Sequence, residues 1–115
     1  MKIPKKVRIG GVDYRIGFAE NVRLGNDICY GTIDYSESVI NLSSTDSTGH
    51  QHRCITLWHE ILHGIFEHAC THPKNEEEVV EVLSKGIYQV LQDNGSALFD
   101  LKVQEVDTNG VESGR

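Results

Sequence analysis

The sequence predicts an α+β fold in which a small N-terminal sheet precedes two packed helices. Short apolar-polar alternations separated by turn residues occupy residues 7–42. Two segments with apolar residues at helical spacing follow, over residues 54–69 and 75–93. With 115 residues the chain suits one domain with a modest core, expected over residues 1–106, and residues 107–115 are expected to form a flexible tail.

Two strand pairs make up the predicted sheet. Residues 7–9 and 12–18 flank a Gly-Gly pair, which suits the tight turn of a β-hairpin. Residues 29–35 and 38–42 flank a polar Ser-Glu turn and predict a second pair. The N-terminal half is therefore expected to provide the sheet on which the helices pack.

The first helical segment contains the sequence His59-Glu-Ile-Leu-His63. Helical residues four apart lie about 40° apart around the axis and one turn apart along it, so both imidazoles can bind one metal ion. Tetrahedral zinc accepts ring nitrogens at roughly 2.0–2.1 Å. Glu60 is adjacent, where its carboxylate can take a proton from a zinc-bound water.

Both histidines fall at the border of the apolar face of this helix. With His59 at 0°, the apolar residues occupy an arc from about 200° to 340°. That arc contains Cys54, Ile55, Trp58, Ile61, Leu62, Ile65, Phe66 and Ala69. A border position is where a packed interior meets a cleft, which favours metal ligands over a chance match on an ordinary amphipathic helix.

A catalytic zinc takes a third protein ligand and keeps one position open for water. His68 projects about 140° away from His63 and so points away from the metal. His72 is misplaced if the helix continues, and Pro73 is expected to end the helix there. The third ligand is therefore expected from the second helical segment.

That second segment begins at Asn75 and offers several carboxylates. Glu77 lies at the border of its apolar stripe and Glu81 is one turn further on nearly the same line. Glu77 can thus bind zinc while Glu81 accepts the free N–H of a ligating histidine. Glu76 projects toward the stripe and is the rival third ligand. Glu78 is expected only to complement the helix dipole, with Asn75 as N-cap.

These residues resemble the ImmA/IrrE-type zinc metallopeptidases, and more narrowly the small versions carried by phages and prophages of Gram-positive bacteria. The resemblance covers about residues 1–95. It rests on three runs, Thr56-Leu-Trp-His-Glu-Ile-Leu-His-Gly64, Glu77-Glu-Val-Val-Glu-Val-Leu-Ser84 and Gly86-Ile-Tyr-Gln-Val-Leu-Gln-Asp-Asn94.

The resemblance implies a zincin-like fold of the gluzincin group, in which His59, His63 and Glu77 bind Zn²⁺ and Glu60 is the general base. Longer members usually carry E-x-x-A-N-x-F-A around the third ligand. Here Glu81 stands in place of the asparagine, which keeps a carboxylate near the ligating histidines.

Hydrolysis of a protein or peptide substrate is the activity that the resemblance implies, and a transcriptional repressor of a phage or mobile element is the implied kind of target. In zincin-like folds the substrate pairs with an edge strand along the cleft, and we expect residues 40–42 to be that strand. The alternative is a non-catalytic module that binds zinc structurally or binds a partner. Glu60 argues against it, because a structural site closes all four positions and needs no base.

Composition excludes two other classes of partner. The formal net charge is −6 and the basic residues cluster only near the N-terminus, so no nucleic-acid groove is expected. No apolar stretch approaches the roughly 20 residues that span a bilayer, and the charged start lacks a signal-peptide hydrophobic region. Three widely spaced cysteines suit reduced thiols. These observations favour the cytoplasm, which the resemblance makes that of a bacterial host cell.

Overall fold

The structure, a computed structural model, describes residues 1–24, 27–45 and 49–98, with the side chains of residues 27, 28 and 96 left out. The expected end of the domain at residue 106 and the expected flexible tail over residues 107–115 lie outside the described residues. The described part is an α+β fold of six strands and two long helices. The strands are Lys6–Ile9 (β1), Val12–Ala19 (β2), Val22–Leu24 (β3), Asp27–Cys29 (β4), Gly31–Asp34 (β5) and Val39–Ser43 (β6), and the helices are His50–His68 (α1) and Glu76–Asn94 (α2), followed by a 3₁₀ turn at Gly95–Leu98.

The main sheet has the strand order β1-β2-β6-β5 and is mixed. Its first pair confirms the predicted hairpin, because β1 and β2 are antiparallel across Gly10 and Gly11. Both glycines have positive φ, 57° and 83°, which residues with a Cβ rarely adopt. The second predicted pair is also confirmed, since β5 and β6 are antiparallel. A separate two-stranded sheet, β3 with β4, was not predicted.

The expected placement of residues 40–42 at the sheet edge is wrong. β6 lies between β2 and β5, and its parallel pairing with β2 aligns Ile16 with Ile40. Ile40 and Leu42 are fully buried, as residues of a central strand are. The edge strand on the side of the described sheet opposite β1 is β5, where a Cβ added to Gly31 would lie 2.5 Å from Thr56 Cγ2 of α1. Glycine therefore lets β5 approach α1 closely.

The core lies between the main sheet and α1. It is formed by buried residues of the sheet and one of the helix: Ile9, Tyr14, Ile40, Leu42 and Leu57. The second helix packs against α1, and its buried residues are Val80, Ser84 and Tyr88. α1 is thus held between the sheet and α2, which brings its polar border next to the first turns of α2. Within the described ranges, no helix is both long and apolar enough to cross a membrane.

Candidate metal centre

His59 and His63 project from α1 toward the first turn of α2, where both meet Glu77. The Nε2 atoms of the two histidines are 3.2 Å apart. His59 Nε2 lies 2.8 Å from Glu77 Oε1, and His63 Nε2 lies 3.0 Å from Glu77 Oε2. The structure therefore brings together the three residues expected to bind metal, with all three ligand atoms within 4.8 Å of one another.

The other ring nitrogen of each histidine faces a different carboxylate. His59 Nδ1 is 3.1 Å from Glu81 Oε1, and His63 Nδ1 is 2.6 Å from Glu76 Oε2. Each Nδ1–H can donate to its carboxylate, and this tautomer leaves the Nε2 lone pair available for a metal ion. Glu81 is thus placed as expected for a residue that orients a ligating imidazole.

Glu76, the expected rival for the third ligand position, does not lie on the side of the histidines that faces Glu77. Its carboxylate lies on the Nδ1 side of His63, whereas Glu77 lies on the Nε2 side. The hydrogen bond with His63 holds the pKa of the Glu76 carboxyl below its ordinary value. Two ligating imidazoles need two N–H acceptors, and the sequence predicted only one, Glu81. The acidic residue directly before Glu77 was the signal that could have identified the second.

Glu76 also contacts His72, in the connection between the helices. His72 Nδ1 is hydrogen-bonded to Glu76 Oε1, and His72 Nε2 lies 3.2 Å from Glu67 Oε1. The hydrogen bond with Glu76 raises the pKa of His72. His68, expected to point away from the metal, lies with its Nε2 2.7 Å from the Tyr14 hydroxyl of the sheet.

Glu60 is a buried carboxyl beside the two histidines, with 8% of its surface exposed. Burial raises its pKa, while the nearby His59 and His63 act in the opposite direction. A carboxyl in such surroundings holds a proton more tightly than one in water. This is the property required of a group that first accepts a proton and later delivers it.

A cavity of about 630 Å³ opens beside these groups. One wall contains Tyr30 and residues 31–33, including most of the edge strand β5, and the other contains the histidine face of α1 with Glu81 and Lys85 of α2. Lys85 Nζ is 3.3 Å from Glu81 Oε2, the oxygen that is not directed at His59. The volume is within the range of ordinary ligand sites, so the cavity is large enough for a small ligand or a peptide segment beside His59 and His63.

The donor set fits zinc. Two imidazole nitrogens and one carboxylate oxygen match the ligand types of catalytic zinc sites, which leave a fourth position for water. Comparison of the chain with protein families, curated proteins and solved structures finds no match.

Proposed function

We propose that the chain is a zinc-dependent endopeptidase with a zincin-like fold of the ImmA/IrrE type. One observation carries the proposal. His59 and His63 direct Nε2 toward Glu77 while each Nδ1 faces its own carboxylate, and the buried Glu60 lies beside them. A structural zinc site has no need of a buried carboxylic acid next to its ligands.

His59, His63 and Glu77 would hold the ion. When bound, zinc would act as a Lewis acid and would lower the pKa of a coordinated water toward about 7. Glu60 accepts the proton from the attacking water and delivers it to the leaving amine. The burial of Glu60 keeps bulk water away from its carboxyl. Glu81 and Glu76 orient the imidazoles of His59 and His63 so that the Nε2 lone pairs of both face the ion.

β5 is the strand best placed to hold an extended substrate. It is a terminal strand of the main sheet, and its residues 31–33 line the same cavity as His59 and Glu60. An extended peptide can add to a sheet edge through backbone hydrogen bonds, which would hold its carbonyl groups beside the metal. A protein segment in extended conformation is therefore the proposed substrate, with a repressor of a phage or mobile element as the kind of target that the resemblance suggests.

The test is peptide hydrolysis by the zinc-loaded chain. Purified protein with one equivalent of zinc is incubated with a mixture of fluorogenic peptides, beside metal-free protein and Glu60→Gln. We expect cleavage by the zinc-loaded wild type alone. Glu60→Gln should keep its zinc and lose hydrolysis by roughly 10²–10⁴-fold, because the proton acceptor is removed while the shape is preserved.

Glu78→Gln is the matched control, since Glu78 is an exposed acid in the first turn of α2. This control should cleave at the wild-type rate. Hydrolysis by Glu60→Gln at the wild-type rate would refute the mechanism. Stoichiometric zinc without cleavage of any peptide would favour a structural role for the ion.

A further inference from the structure

His72 connects the two helices that carry the proposed ligands. Through Nδ1 it is hydrogen-bonded to Glu76 in the first turn of α2, and through Nε2 it faces Glu67 near the end of α1, 3.2 Å away. Together with the contact between Glu76 and His63, these residues form a chain of alternating imidazole and carboxylate groups that runs outward from the site.

The first turn of α2 has no side-chain cap, and it is joined to α1 through the carboxylates of Glu76 and Glu77. Asn75 occupies the N-cap position as expected, but its side chain makes no capping hydrogen bond. Pro73 follows His72, and a residue before proline is restricted to extended backbone conformations. His72 is thereby held in position to bridge the helix ends. Because Glu76 and Glu77 are neighbours, whatever orients this turn orients both carboxylates.

The two carboxylates that face Nδ1 atoms, Glu81 and Glu76, are each contacted at both oxygens. Glu81 directs one oxygen at His59 and the other at Lys85. Glu76 directs one oxygen at His63 and the other at His72. A carboxylate held at both oxygens cannot rotate away from its imidazole without losing a contact. Lys85 and Glu81 belong to the same helix, whereas His72 also reaches α1 through Glu67.

We propose that His72 is a positioning residue of the metal centre, which with Glu67 holds Glu76 on Nδ1 of His63 and keeps Glu77 in reach of both histidines. This inference rests on the proposed metal site. His72 acts only through Glu76 and touches neither the ion nor the substrate. Its loss should weaken metal binding because Glu76 becomes free to rotate and the first turn of α2 is less constrained.

The experiment compares three substitutions of His72 by zinc competition with a chelator and by the visible spectrum of the cobalt-substituted protein. His72→Ala removes both contacts and should weaken zinc binding about tenfold, the lower end of the roughly 10–100-fold range for outer partners. His72→Asn places an amide nitrogen where Nδ1 was and should restore most of the affinity. His72→Gln mimics Nε2 instead and should resemble His72→Ala. The cobalt spectrum should change in His72→Ala and His72→Gln and stay as in wild type in His72→Asn.

Glu78→Ala is the control for loss of an exposed polar group near the helix start and should leave the affinity and the spectrum unchanged. Wild-type affinity and spectrum in His72→Ala would overturn the inference. The inference would also be overturned if His72→Asn bound zinc as weakly as His72→Ala and both variants lost the same melting temperature as metal-free proteins. That pattern would indicate that His72 only stabilises the turn. Failure of the metal site itself gives a different result, in which wild type binds no zinc or His63→Ala binds it unchanged.

Discussion

Zinc should raise the melting temperature of the metal-free chain by a large amount, because the proposed ligands join α1 to α2. The direct contacts between Glu77 and the two histidines add little without the ion, since the Glu77 side chain is 70% exposed and exposed ion pairs contribute about 0–1 kcal/mol. Nearly all of the stabilisation by bound zinc would therefore come on top of the contacts that the metal-free chain already has. At free zinc about 1,000-fold above Kd, linkage adds roughly 4 kcal/mol.

For a domain of this size each kcal/mol corresponds to about 4–8 °C, so the expected shift is on the order of 15 °C or more. The assay is a thermal melt followed by circular dichroism, with and without zinc, for wild type, His63→Ala and Cys70→Ser. The last variant tests the exposed thiol of Cys70 as an unrelated zinc ligand. Equal wild-type melting temperatures would refute the coupling of the ion to helix packing. An undiminished shift in His63→Ala would show that the stabilising ion binds elsewhere.

Three further predictions concern single residues. Glu77→Ala should weaken zinc binding more than Glu76→Ala or Glu81→Ala, which should each weaken it about 10–100-fold. A chelator titration in which only Glu76→Ala loses affinity would show that Glu76 is the third ligand. In metal-free protein, Glu60→Gln should be more stable than wild type at pH 7, because burial disfavours the ionised carboxylate and so raises the pKa of Glu60. This destabilisation of wild type sets in as pH rises above the ordinary glutamate pKa of 4.5. The difference should vanish in melts near pH 4, and a wild type that is more stable at pH 7 would contradict this account. Gly86→Ala should raise the free energy of unfolding by about 0.4–1 kcal/mol, measured by urea titration, without affecting zinc affinity, because a Cβ there meets no atom within 4 Å.

Features set by neighbouring residues were predictable from the sequence. The turn at Gly10 and Gly11 requires positive φ, and the structure has it. The second helix was expected over residues 75–93 and spans Glu76–Asn94. The i, i+4 spacing of His59 and His63 placed both rings on one side of α1, and the structure directs both toward Glu77.

Features set by long-range packing were not predictable in this way. The parallel pairing of β2 with β6 places residues 40–42 in the middle of the sheet, and nothing in their local alternation distinguishes a central strand from an edge strand. The role of Glu76 depends on how α2 is rotated against α1, which decides whether Glu76 or Glu77 meets the Nε2 atoms. Helical periodicity gives the face of one helix but not the docking angle of two.

The proposed centre is local in the chain, with both histidines, all their carboxylate partners and Lys85 within residues 59–85. The main sheet instead joins residues 12–19 to residues 39–43 across a long intervening segment. Contacts close in sequence cost less loop-closure entropy, and proteins rich in such contacts fold faster. If the two helices pair before the sheet is complete, a metal ion that joins them would mainly speed folding. The supply of that ion during synthesis would then affect the yield of folded protein.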